Sequence, residues 1–409
     1  MIDIKNKQLC CGCSACFNVC PTKCIEMVSD EEGFLYPNVN KDSCINCGKC
    51  EKVCSIYENI EESISNYLRK AVVVQNFDSN IREESTSGGF FSLISSYVIS
   101  QGGVVIGAAY DANFKVVHQI VDNISDLAKF RNSKYCQSDL GKIYSMCKDI
   151  LESGKKVCFS GTPCQTEGLY KFLGGKPDNL ILVDFACHGV PSPGFFQRYI
   201  KFHSRYGKVI RILFRDKHDG YFASGMGIQY SNGKILRNKF SVDAIFTLYF
   251  SGMISRPSCY KCRFKKINRI TDFTMMDCWH AENISDVFDD KGATGIIIQN
   301  EKAKKLLSNI IGESIVDNVE LDELIKLDGK MIISSAEENP NRMAFFTDYK
   351  RGMSYEGLIY KYKKYSRGNS VKYLLEVILH KTGIFNKLMR SIYLTSGRKR
   401  NDKCNNTCL

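Results

Sequence analysis

Cys10, Cys13, Cys16 and Cys20 follow the spacing C-x2-C-x2-C-x3-C, with Pro21 next. Cys44, Cys47, Cys50 and Cys54 repeat that spacing, with Ser55 where proline is usual. No other feature restricts the fold so tightly. Three thiolates on a tight loop reach three irons of one cubane, and the fourth, on the following helical turn, points toward a second. The crossed arrangement assigns Cys10, Cys13, Cys16 and Cys54 to one [4Fe-4S] cluster, and Cys44, Cys47, Cys50 and Cys20 to the other. Zinc also accepts four cysteines, but a zinc knuckle needs only two pairs, so the third close cysteine of each run would be idle. Cys11 and Cys24 are left over and read as small buried thiols.

Composition supports metal rather than disulfides. The chain has 409 residues and 20 cysteines, and ten of these lie within residues 1–54. The start MIDIKNKQLCCGCSAC lacks the apolar core of a signal peptide, so the expected location is cytoplasmic, where clustered cysteines bind metal. With 44% hydrophobic and 24% charged residues the chain reads as globular. No apolar run approaches the roughly 18–20 residues of a transmembrane helix. The net charge of +12 belongs to the tail, since residues 341–409 hold 15 Lys/Arg against 4 Asp/Glu. Residues 1–58 therefore look like a bacterial-type dicluster ferredoxin domain, which moves single electrons.

After a polar linker at 58–67 the pattern turns α/β. Ala71–Phe77, Val104–Tyr110, Val116–Asp122, 155–161 and 179–185 read as strands. FFSLISSYVIS (90–100) and EGLYKFL (167–173) read as helices, and Ser125 reads as the N-cap of another. Cys164 and Cys187 each stand just past the C-terminal end of a buried strand, the edge at which open α/β sheets bind ligands. Cys259-x2-Cys262 lies in a turn-rich loop. Cys164, Cys187, Cys259 and Cys262 are thus expected to hold a third [4Fe-4S] cluster; a structural zinc or unrelated free thiols are the other readings. Cys278 is the alternative fourth ligand, while Cys136, Cys147 and Cys158 read as buried core cysteines.

SerThrSerGlyGly (85–89), SerLysTyrCysGlnSer (133–138), SerGlyThrProCysGln (160–165), CysHisGlyValProSerPro (187–193) and CysTyrLysCys (259–262) together resemble the coenzyme F420 hydrogenase/dehydrogenase beta subunit family. The resemblance covers residues 1 to about 330. It departs at Met276-Asp277-Cys278-Trp279, where the family commonly shows Gly-Asp-x-Trp. It implies a flavin, FAD or FMN, beside at least one [4Fe-4S] cluster. Many bacterial relatives are associated with exopolysaccharide biosynthesis. No feature of the sequence marks coenzyme F420 itself as substrate.

The expected fold class is α+β: a 2[4Fe-4S] ferredoxin domain (1–58), a larger α/β flavin-binding domain (68–335) and a basic helical tail (341–409). Ser85, Thr86, Ser87, Gly88 and Gly89 stand at a helix start, where free backbone N–H groups and the helix dipole favour a flavin phosphate. Lys134, Tyr135 and Gln137 form a second cofactor-binding patch, with Lys134 placed to stabilise a reduced, anionic ring. His188 is the other catalytic candidate, and Arg215 and Lys217 are candidates for meeting an anionic substrate. The expected activity is an iron–sulfur flavoprotein oxidoreductase. It passes electrons between a ferredoxin-type donor, the clusters and a flavin that reduces or oxidises an organic substrate. The alternative is a non-catalytic electron-transfer subunit of a larger redox complex. In the tail, Ile384, Phe385, Leu388, Met389 and Ile392 follow helical spacing beside basic residues. That helix is expected to pack on the body, with peripheral membrane contact as the minority reading and nucleic acid not expected.

Overall fold

In the computed structural model, which describes residues 1–57, 68–286 and 289–363, each cysteine run closes on a short helix. These helices are Ala15–Val19 and Lys49–Lys52. Gly12, Ser14, Asn46 and Gly48 take left-handed backbone conformations, which lets each loop curl around its own cysteines. Between the runs, β1 (Ile25–Ser29) pairs antiparallel with β2 (Leu35–Val39). The expected linker at 58–67 lies outside the described residues.

The body is built on an eight-stranded sheet. Its strands are β3 (Lys70–Asn76), β4 (Val104–Tyr110), β5 (Val116–Val121), β6 (Val157–Ser160), β7 (Leu180–Phe185), then β11 (Phe273–Asp277), β12 (Thr294–Ile298) and β13 (Ser314–Val319). The intervening strands β8 (Val209–Asp216), β9 (Gly225–Tyr230) and β10 (Ile235–Lys239) form a separate antiparallel sheet. The large sheet runs β13-β3-β12-β11-β7-β6-β4-β5. Its centre, β4-β6-β7-β11, is parallel, and its flanks are antiparallel. Central strands covered on both faces must be apolar throughout. Val157, Cys158 and Phe159 on β6, like Leu180 through Val183 on β7, are accordingly buried. Cys136, Cys147 and Cys158 lie in apolar cores.

Two local readings change. Ser125 is not a helix cap: Asn123 Oδ1 accepts from the Asp126 amide (3.0 Å) and from Ser125 Oγ (2.7 Å), because an Asx side chain reaches the turn first. The helix expected at 167–173 starts earlier, at Pro163, so Cys164 lies in its first turn. Thr162 caps it in a reciprocal box with Gln165, and Pro163 needs no amide partner there.

The C-terminal part is helical where described. Helix Arg342–Lys350 and helix Tyr355–Tyr362 pack Phe345, Phe346, Tyr349 and Leu358 into the aromatic core beneath the small sheet. They also hold the β1–β2 turn: Arg342 pairs with Glu32 at 2.5 Å and Lys350 with Glu31 at 2.7 Å. Gly33, at φ +88°, has no room for a Cβ, which would lie 2.4 Å from the Gly194 nitrogen. The amphipathic stretch expected around 384–392 lies outside the described residues.

Candidate functional site

Each crossed set of cysteines converges on its own cavity. Cys10, Cys13, Cys16 and Cys54 line one, to which Arg263 and Phe264 of the body also contribute. Cys20, Cys44, Cys47 and Cys50 line a second. Cys24, expected as a bystander, also lines the second, with its sulfur 3.4 Å from Cys20 Sγ.

Arg256 supplies an independent test of the first cavity. Its side chain is fully buried. Its Nε donates to the Cys10 carbonyl (2.8 Å), Nη1 to Gln137 Oε1 (2.9 Å), and Nη2 to the Leu35 carbonyl (2.9 Å) and Cys10 Sγ (3.7 Å). Tyr36 lies under it at 4.1 Å. Among the described residues it pairs with no carboxylate. A buried charge needs an opposite one. An anionic thiolate cluster at Cys10 provides it, so the residues present fit such a group.

The third constellation forms where strand ends meet a loop. Cys164 sits on the helix after β6, Cys187 follows β7, and Cys259 and Cys262 belong to the loop after helix Ala244–Phe250. Two backbone contacts zip these loops together: Arg256 N donates to the Val190 carbonyl (3.0 Å), and Pro191 bridges Ser255. Gly189, at φ +106°, leaves Cys259 its space: a Cβ there would meet the Cys259 Cβ at 3.1 Å. All four cysteines line one cavity. Lys261, Arg263 and Lys265 line it, while Arg269 beside them is paired with the buried Asp184 (3.1 Å), so the lining carries net positive charge suited to an anionic occupant. Lys265 donates to the carbonyls of Cys187 and Met331. Burial pushes the thiols of Cys259 and Cys262 up, to about 12 and about 11, so bound metal rather than water would deprotonate them. A fifth cysteine, Cys11, also lines this cavity, which a left-over buried thiol would not do. Cys278 does not line it; it is buried in the apolar cluster that holds Ala71, Val73 and Ala281 under the far strands.

The residues expected at the flavin divide. Thr86 Oγ1 meets Ser133 Oγ at 2.8 Å, and Ser87 Oγ meets Thr294 Oγ1 at 2.9 Å. The 85–89 turn and the start of the 133–138 string therefore share the C-terminal edge of the sheet. Gly88 is required by packing: a Cβ would lie 2.2 Å from the Val74 carbonyl oxygen. Gly89, at φ +83°, starts the 11-residue helix Phe90–Ser100 without a side-chain cap. That helix start, with its backbone donors, fits a phosphate.

Arg215 and Lys217 project from the small sheet onto the same edge. Arg215 Nη2 bonds Asp277 (3.0 Å) and the Tyr135 hydroxyl (2.8 Å), and its guanidinium lies 4.7 Å from Trp279. Trp279 stacks on Tyr221 at 4.5 Å, and the buried Tyr221 hydroxyl has no hydrogen-bond partner among the described residues. Lys217 donates to the carbonyls of Arg82, Ser87 and Lys291, and burial pushes it down to about 7. Burial likewise pushes Lys134 down to about 7, but its ammonium is turned onto the Lys129 and Arg131 carbonyls. His188 stands edge-on to Tyr249 and Phe250, and burial followed by Lys265 and Lys330 pushes it down to about 4. Gln137 is elsewhere. Its Nε2 donates to the Cys11 carbonyl (3.0 Å) and its Oε1 accepts from Arg256, so it belongs to the ferredoxin junction. Sequence reasoning missed Arg256 and Tyr221; the position of Arg256, three residues before the C-x2-C pair, was the available signal for the first.

Residues 154–323 match the family described as the C terminus of the coenzyme F420 hydrogenase/dehydrogenase beta subunit, and residues 9–56 match the 4Fe-4S dicluster domain. A coenzyme F420-dependent sulfite reductase of Methanocaldococcus jannaschii is 28% identical over 175 residues, 41% of this chain and 26% of that protein. An uncharacterized polyferredoxin-like protein of the same organism is 30% identical over 98 residues, 18% of this chain and 58% of that protein. This chain thus spans between about a quarter and three fifths of these relatives. A solved chain of the F420-reducing [NiFe] hydrogenase complex from Methanosarcina barkeri aligns with a TM-score of 0.45 and 17% identity, over 68% of this chain and 98% of that one.

Proposed function

The chain belongs to the coenzyme F420 hydrogenase/dehydrogenase beta subunit family, through that family's C-terminal region, joined to an N-terminal 4Fe-4S dicluster domain, and on that premise we propose an iron–sulfur flavoprotein oxidoreductase. It exchanges electrons between a reduced ferredoxin-type donor and an organic substrate. The observation that carries this reading is the cavity ringed by Cys164, Cys187, Cys259 and Cys262, set against the ferredoxin cysteines. A protein that only carried electrons through the dicluster domain would have no use for it.

In this reading Cys10, Cys13, Cys16 and Cys54 ligate one cluster, Cys20, Cys44, Cys47 and Cys50 the second, and Cys164, Cys187, Cys259 and Cys262 a third. The backbone at Ser85–Gly89 takes the flavin phosphate. Arg215, held by Asp277 and Tyr135, presents fixed positive charge at the sheet edge. His188, edge-on to Tyr249 and next to Cys187, is the proton-carrier candidate. Bound there, a flavin would link one-electron transfer from the clusters to two-electron chemistry on the substrate. The chemistry of the coenzyme F420-dependent relative makes a deazaflavin one substrate to try, and a sugar intermediate of polysaccharide assembly another.

The test is acid release of bound small molecules from anaerobically isolated protein, followed by reduction with ferredoxin. Close to one flavin per chain, bleached by reduced ferredoxin, is the expected result. No flavin after attempted reloading, with the clusters intact, would leave an electron-transfer subunit instead.

A further inference from the structure

We propose that Cys11 is the contact through which an electron crosses from the first ferredoxin cluster site into the cysteine cavity of the body. The proposal rests on the reading above, in that the cavity must hold a cluster.

The first and third cavities share a wall made of Leu9, Cys11, Arg263 and Phe264. Among these four, Cys11 alone carries sulfur. It lines the first cavity together with Cys13 and the third together with Cys164, so it stands beside one ligand candidate of each site. The second cavity has no lining residue in common with the third, which places the first cluster site on the inward side of the ferredoxin domain.

The thiol is also held in place. Gln137 donates to the Cys11 carbonyl at 3.0 Å, and Arg256 donates to the Cys10 carbonyl at 2.8 Å. The next residue, Gly12 at φ +69°, has no space for a Cβ, which would lie 2.8 Å from Arg256 Nη1. Short, fixed contact between donor and acceptor shells is what outer-shell groups of metal sites supply. Cys24, the other thiol outside the ligand pattern, approaches Cys20 but has no place in the third cavity. With clusters bound, one electron would leave the reduced cluster held by Cys10, Cys13, Cys16 and Cys54, and one would be gained by the cluster held by Cys164, Cys187, Cys259 and Cys262. No bond would form or break, and Cys11 would keep its oxidation state.

The experiment compares anaerobic full-length wild type with Cys11→Ala, Cys11→Ser and Cys24→Ala. Iron is counted first. A photoexcited one-electron donor then reduces the protein, and freeze-quench EPR follows the spin from the ferredoxin clusters to the third. The expected result is full iron in every variant, with transfer in Cys11→Ala slowed ~10-fold or more, the scale on which outer-shell partners act. Cys11→Ser, which retains a donor, recovers part of the rate, and Cys24→Ala matches wild type. Unchanged transfer in Cys11→Ala overturns the proposal. So does a loss of about four irons, because Cys11 would then be a ligand. About eight irons in the wild type itself would remove the third cluster, and with it both the functional reading and this one.

Discussion

Replacing Arg256 with methionine keeps an unbranched, buried side chain and removes every donor. Three acceptors lose their partner: the Cys10 and Leu35 carbonyls and Gln137 Oε1. Each buried acceptor left unpaired costs about 1–3 kcal/mol, while the desolvation of the guanidinium is no longer incurred. Breaking a buried charged network from one side nets about 3–5 kcal/mol, and we expect a loss in that range. The assay is anaerobic urea unfolding of the cluster-loaded protein, followed by far-UV circular dichroism and cluster absorbance. The reasoning makes a sharper demand as well. If the cluster at Cys10 neutralises Arg256, stripping iron with a chelator should destabilise wild type more than Arg256→Met. The two perturbations would then be non-additive, as expected for groups in contact. A loss under about 1 kcal/mol, or strict additivity, would refute the charge-pairing argument.

Other consequences can be checked separately. Gly88→Ala should cost about 3 kcal/mol or more, because the new Cβ would sit 2.2 Å from one backbone oxygen and 2.6 Å from the Thr294 nitrogen; thermal unfolding reads this directly. His118, buried between the Ser160 carbonyl and Ser138 Oγ, is pushed down to about 4 by burial. Its folded value lies below the ordinary 6.5, so the unfolded chain takes up the proton first as pH falls. Stability is therefore full above pH 6.5 and declines toward pH 4, by about 2 kcal/mol at pH 5, and His118→Gln should flatten that slope in urea unfolding. Arg215→Met should weaken flavin retention without loss of iron, measured as flavin-to-iron ratio after gel filtration.

The ferredoxin cysteines were legible because C-x2-C-x2-C-x3-C is local: spacing alone sets which thiolates share a loop. The buried strands were legible for a similar reason, since continuous apolar runs leave few other placements. Cys164, Cys187, Cys259 and Cys262 are far apart in sequence, and only their positions after strands and turns suggested a common edge. Cys11 read as a left-over thiol because the cavity it lines is completed by Cys164, Cys187, Cys259 and Cys262, all more than 150 residues away. Gln137 was placed with the flavin because it sits two residues from Tyr135. The chain turns between them, since Cys136 N bonds the Lys134 carbonyl at 2.7 Å and the Gln137 amide pairs with Pro191. Arg256 was missed because its role depends on Cys10 and Leu35, which lie more than 200 residues away, and its place three residues before the C-x2-C pair was the one local signal.

The most direct test of the third cluster is iron and acid-labile sulfide per chain in anaerobic wild type and in Cys187→Ala with Cys262→Ala. The account predicts about twelve irons falling to about eight, with the ferredoxin EPR signals unchanged. About eight irons in both proteins would contradict it.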